Sequence, residues 1–86
     1  MANINETLSD RTSTHGDLND HAKISQALKI TITKGVSYHL LTDTQKEALE
    51  MIVHKIARIV SGNPNLADHW HDIAGYSKLA EDRIEI

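Results

Sequence analysis

Residues 42–62, TDTQKEALEMIVHKIARIVSG, decide the fold. Thr42 is followed three residues later by Gln45, the spacing of a capping box, and Asp43 puts a negative charge in the first turn, where the helix dipole favours it. Leu49, Ile52, Val53, Ile56, Ile59 and Val60 then recur at helical spacing and form one apolar stripe. Lys55 and Arg58 lie toward the end that prefers positive charge. Gly62 stops the helix, and Pro64 follows just beyond it.

Downstream, NPNLADHWHDIAGYSKLAEDRI at 63–84 predicts a further helix. Pro64 at a first helical position after Asn63 is one start. Asn65 with Asp68 is the other. Leu66, Trp70, Ile73, Ser77, Ala80 and Ile84 share one face, with Trp70 as the expected core anchor. Upstream, Gly16-Asp17 reads as a turn into a helix capped by Asp17. That helix carries Leu18, Ala22, Ile24 or Ser25, Leu28 and Ile32 at helical spacing. ITITK at 30–34 alternates and also suits a short strand, but a helix ending near Gly35 fits better. VSYHLL at 36–41 is a connector. Residues 1–16 are dominated by Ser, Thr, Asn, Asp and Gly and predict a flexible leader, leaving 17–86 as a single helical domain. The expected architecture is all-α: a three-helix unit with short links, completed by oligomerisation.

Composition excludes several functions. At 86 residues the chain is one domain's worth, and a domain so short buries only about 60% of its unfolded surface. The 12 acids outnumber the 9 bases, so there is no strong nucleic-acid signal. One Trp and two Tyr are too few for base-stacking platforms. Without cysteine there is neither a disulfide framework nor a thiolate metal site. No run approaches the ~18 apolar residues that span a bilayer, and the polar start lacks the core of a signal peptide. The expectation is a cytoplasmic protein without membrane contact.

Six histidines are an excess for this length. His69 and His71 are two apart, so on a helix they point about 160° from each other and cannot share one metal. His69 is expected at the rim of a site. His15 and His21 flank the first helix start and matter only if the leader folds back. On the helix after Thr42, Glu47, Glu50, His54 and Arg58 gather opposite the apolar stripe. On the last helix, Asp68 and Asp72 lie opposite Ile73, with His69 and Tyr76 beside them. Gly75 and Ala74 suggest that this strip lies close to another backbone. A hard cation such as Mg²⁺ seeks several carboxylate oxygens, so Glu47, Glu50, Asp68 and Asp72 form one candidate metal set. Lys55 and Arg58 would meet a phosphate, Arg by a bidentate fork. The same charges also suit a solvated face.

KIARI at 55–59 and DHWHDIAGY at 68–76 resemble the pattern of a family of small phage-encoded helical proteins, a domain of unknown function. Arg11 and HGD at 15–17 match the family's earlier Arg and Tyr-Gly-Asp, with His15 in the Tyr position. The likeness spans about residues 11–80. More distantly the chain is similar to the phage nucleotide-modification-associated helical domain and to MazG-like all-α nucleoside triphosphate pyrophosphohydrolases. The latter bind Mg²⁺ through an E-x-x-E helix and a later E-x-x-D helix. Glu47-x-x-Glu50 matches the first; Asp68 and Asp72, four apart, depart from the second.

These resemblances imply a phage or prophage accessory protein, in the host cytoplasm, that holds a nucleotide or nucleotide-like signal in a homo-oligomeric scaffold. Arg11, His15, Lys55, Arg58, His69, Asp72 and Tyr76 are the ligand-binding candidates. The alternatives are a Mg²⁺-dependent pyrophosphohydrolase and a module that binds a host protein.

Overall fold

In the computed structural model, which describes residues 3–85, the chain is all-helical: α1 (Ile4–His15), α2 (Leu18–Ile32), α3 (Asp43–Ser61) and α4 (Ala67–Glu81), with a short 3₁₀ turn at Tyr38–Leu40. There are four helices among the described residues, not three. The extra one occupies the expected leader, whose first two residues lie outside the described range, as does residue 86 of the expected helical domain.

α3 starts as its sequence predicts. The Thr42 hydroxyl accepts from Gln45 N–H, and the Gln45 side chain accepts from Thr42 N–H, at 3.1 and 2.9 Å. Gly62 caps its end, donating to Arg58 O. α2 opens on Asp17, whose carboxylate accepts from Asn19 N–H. α4 begins later than either expected start, after Leu66 and with no side-chain cap. Asn63 instead makes a local turn, accepting from Asn65 N–H at 2.9 Å.

α1 is a polar helix rich in Ser and Thr. Asn3 caps it by accepting from Glu6 N–H at 2.9 Å. Thr7, Ser13 and Thr14 return their hydroxyls to carbonyls one turn back, a use of Ser and Thr that slightly weakens a helix. None of its residues is buried, so tertiary contact at its C-terminal end must supply what propensity does not.

α3 is the central helix and touches the other three. Its two packed edges lie about half a turn apart. Val53 and Ala57 are buried on the edge toward α2, and Ala48 and Ile59 on the edge toward α4. Small residues let the helix axes approach, but this leaves a thin apolar core of Ala48, Val53, Ala57 and Ile59. His21, Ser25 and His69 are the polar members of the interior.

Two expectations for α4 are reversed. Trp70 is not a core anchor: it is 56% exposed, and its indole N–H donates to Pro64 O at 2.8 Å. His69 is not at a rim but is the most buried large side chain, 2% exposed. The inward face of α4 is turned from the apolar phase toward His69, which donates to Thr14 O on α1 and lies one helical step of about 100° from Trp70, while Leu66, Ile73 and Ala80 stay half-buried. Nor does Gly75 admit a second backbone, since a Cβ there would meet nothing within 4 Å.

The close approach occurs elsewhere. Gly16 has φ +84°, and a Cβ on it would sit 2.4 Å from Ser61 O. A Cβ on Gly62 would sit 2.5 Å from Thr14 O. The turn after α1 and the turn after α3 therefore touch through bare backbone. We predict that Gly16→Ala lowers stability by on the order of 1–3 kcal/mol, through overpacking and a disfavoured φ. Gly75→Ala, at an open helical position, should raise it by about 0.5–1 kcal/mol. Equal denaturation midpoints for the two variants would contradict this placement of the close contact.

Candidate functional site

The α1–α3 crossing assembles the polar centre of the molecule. Thr14 O accepts from Asn63 N–H at 3.0 Å and from His69 Nε2–H at 3.2 Å. One carbonyl near the end of α1 thus binds both the turn after α3 and the first turn of α4. The rings of His15 and His69 meet edge to face with centroids 4.8 Å apart, and Thr14 Oγ1 lies 2.8 Å from His15 Nδ1. This docking turns the inner side of α1 toward Arg58.

A cavity of about 340 Å³ results, between α1, the start of α2 and the C-terminal half of α3. Arg11 and His15 reach it from α1, His21 from α2, and His54 and Arg58 from α3, with Leu8 and Leu18 as an apolar wall. Two guanidiniums and three imidazoles line it, and among the described residues no carboxylate does. His21 and His54 stack edge to face at 5.5 Å.

Charge is poorly compensated there. Arg58 Nε and His21 Nδ1 are buried without a hydrogen-bond partner. Burial, and then the charge of Arg11, pull the Arg58 guanidinium below its ordinary pKa, with Asp72 acting the other way. His15 is held below the usual histidine range by burial first and by Arg58 next. His54 is driven down to about 4 by burial, then by Arg58, His21, Lys29 and Lys55. At neutral pH His54 is therefore an uncharged imidazole, with one nitrogen able to donate and one to accept.

The expected ligand-binding residues divide. Arg11, His15 and Arg58 come together in the cavity, and His69 stands behind His15 as its support. Lys55 and Asp72 pair with each other at 3.0 Å across α3 and α4, and this hydrogen bond from Lys55 is the main reason that the Asp72 carboxyl lies below its ordinary pKa. Tyr76 lines a separate shallow groove on α4 with Asp72, His71 and Leu79.

The expected metal set is not assembled. Among the described residues no group of three or more His, Asp, Glu or Cys side chains is arranged to hold an ion. Glu47 borders a groove with Asp43 and Arg83, Glu50 a different one with Lys29 and Tyr38, and Asp72 is engaged by Lys55. Asp68 is exposed in the first turn of α4.

Sequence reasoning made His21 conditional on the leader folding back and grouped His54 with Arg58 on one face, but placed neither among the ligand-binding residues, because their roles depend on α1 lying over α2 and α3. The signal for α1 was present: Asn3 followed by Glu6 has the spacing of a helix start.

A family model described as domain of unknown function, DUF6378, matches residues 1–84. The chain belongs to this family. No curated protein and no solved structure matches it. The match extends over all four helices, so α1 falls within the DUF6378 domain rather than ahead of it. No helix of this DUF6378 chain, among the described residues, is long and apolar enough to cross a membrane.

The lowered pKa of His54 sets a pH dependence. An unfolded histidine titrates near 6.5 and the folded one near 4, so between these values the unfolded chain binds more protons. The stability tied to a neutral His54 is complete above about pH 6.5 and is lost as pH falls toward 4. We predict that the urea midpoint drops between pH 6.5 and pH 5, and that His54→Gln makes the drop shallower. Parallel pH profiles for the two proteins would contradict the assignment.

Proposed function

We propose that this chain is a binding module for a nucleotide or nucleotide-like ligand, whose phosphate sits between Arg11 and Arg58. One observation carries the reading: two guanidiniums face one cavity without a lining carboxylate, and Arg58 Nε is buried with no partner. Like charges that oppose each other in a partly dry site cost energy, and an anion removes that cost while supplying the missing acceptor. Phosphate suits the need because its oxygens accept a guanidinium fork bidentately. Neutral His15 and His54 add hydrogen bonds to the ligand without adding to the repulsion. Leu8 and Leu18 offer an apolar side for a base or sugar. The volume lies in the ordinary range for small-molecule sites, roughly 300–1,000 Å³.

Binding rather than hydrolysis is the better-supported reading. Glu47, Glu50, Asp68 and Asp72 do not converge on one point, so a Mg²⁺ of the MazG-like kind lacks its ligands within one chain. The resemblance to phage-encoded helical families supports a phage or prophage accessory role in the host cytoplasm, through capture of a defence signal or adjustment of a nucleotide pool.

Calorimetry with inorganic phosphate, pyrophosphate and a panel of linear and cyclic nucleotides tests this. At least one phosphate ligand should bind. Arg58→Ala should weaken it by about 10- to 150-fold, the worth of one charge-assisted contact at ~1.5–3 kcal/mol, and Arg11→Ala should weaken it as well. Asp72→Ala, outside the cavity, should change affinity little. Unchanged binding in both arginine variants, or no binding by any phosphate compound, would sink the proposal.

A further inference from the structure

The side of α3 turned away from the arginine cavity is uncovered. Leu49, Ile56 and Val60 lie there, 37%, 37% and 63% exposed, although they sit on the central helix. Ile52 borders them, half-buried. The spacing of these four residues repeats every three or four positions, so they form one continuous ridge. α4 extends the surface. The Lys55–Asp72 ion pair marks one edge of the α3–α4 contact. Trp70 lies about 160° around α4 from Asp72, which places it with Ile73 toward the edge away from that ion pair. Trp70 is 56% exposed and Ile73 half-buried. α1 covers only the Arg58 side.

We propose that this surface is a homodimer interface, with a second copy of the chain as its occupant. Three observations favour a copy of itself. First, the area is sufficient. The chain exposes 6426 Å², whereas a folded monomer of 9.6 kDa exposes about 5,100 Å². The surplus, roughly 1,300 Å² over the whole chain with the unburied α1 included, leaves room for the ~800 Å² that each partner buries in a standard interface. Second, the shape is that of half an assembly. The radius of gyration is 14.8 Å and the extents are 47 × 25 × 22 Å, against about 12 Å expected for a compact chain of this length. Third, the ridge carries no charge from Leu49 through Ile52 and Ile56 to Val60. Two copies of a chain with net charge −3 can therefore meet there without burying like charges. A two-fold axis crossing α3 sets the ridge against its own copy, each Ile56 facing the partner's ridge. Four helices, α3 and α4 from each chain, then enclose the core that one chain leaves thin.

The inference stands apart from the nucleotide reading, because the two surfaces lie on opposite sides of α3. Sedimentation equilibrium of the full chain, from low to high micromolar concentration, should give twice the 9.6 kDa chain mass at the upper end. Ile56→Asp should raise the dimer Kd by at least about 100-fold, since it places an unpaired carboxylate in an apolar contact. Its far-ultraviolet circular dichroism should stay helical. If Ile56→Asp fails to fold, the unmodified protein still decides: the emission of Trp70, the chain's one tryptophan, should shift red on dilution, with the midpoint found by sedimentation. A monomer mass at every concentration overturns the proposal, including the case in which a different protein covers this face. So does a dimer that survives in folded Ile56→Asp, or a Trp70 emission that stays constant while the mass halves.

Discussion

The contact between the Gly16 and Gly62 turns is the constraint on which the arrangement of this molecule depends. A side chain at either position would overlap backbone of the other turn, at 2.4 Å from Ser61 O or 2.5 Å from Thr14 O. Only at that distance can Thr14 O receive both Asn63 N–H and His69 Nε2–H. α1 has no buried residue of its own, so this short junction is what fixes it against the bundle. A helix with weak propensity and no apolar face is thereby held in one place by a few backbone-level contacts.

The junction also gives the site its chemistry. Arg11 and His15 ride on α1, and its docking brings them to His54 and Arg58 on α3. Their positive charges are placed together without an acid among the lining groups. The bundle bears this cost through depressed histidine pKa values, which leave His15 and His54 neutral near pH 7, and through an Arg58 Nε left without a partner. Natural proteins usually pair such groups, so an unpaired set at a concave site supports the proposed anion site. Lys55 and Asp72 behave in the opposite way: each satisfies the other, and they serve to join α3 to α4.

The helices after residue 16 were legible because their signals are local. The capping box at Thr42 and Gln45, the cap at Asp17 and the stop at Gly62 need only neighbouring residues, and all three form. The face of each helix was less legible. Hydrophobic periodicity makes Trp70 inward and His69 peripheral, yet the reverse holds, because the partner of His69 lies 55 positions away in the chain. Likewise the apolar stripe of α3 predicts burial for Leu49, Ile56 and Val60, which are instead open. α1 escaped notice because a Ser- and Thr-rich segment carries no periodicity. Of the expected site, Arg11, His15 and Arg58 converge, while Glu47, Glu50, Asp68 and Asp72 are spread over separate surfaces that no spacing rule could separate in advance.

The central claim is that the docking of α1 creates an anion site between Arg11 and Arg58. Proton–nitrogen NMR of the backbone amides, the arginine Nε–H and the histidine ring resonances during addition of pyrophosphate tests it most directly. The claim predicts that Arg58 Nε–H and the rings of His15 and His54 shift together and saturate along one curve, with Tyr76 and His71 unmoved. Shifts confined to His71 and Tyr76, or a titration that leaves Arg58 Nε–H in place, would contradict it.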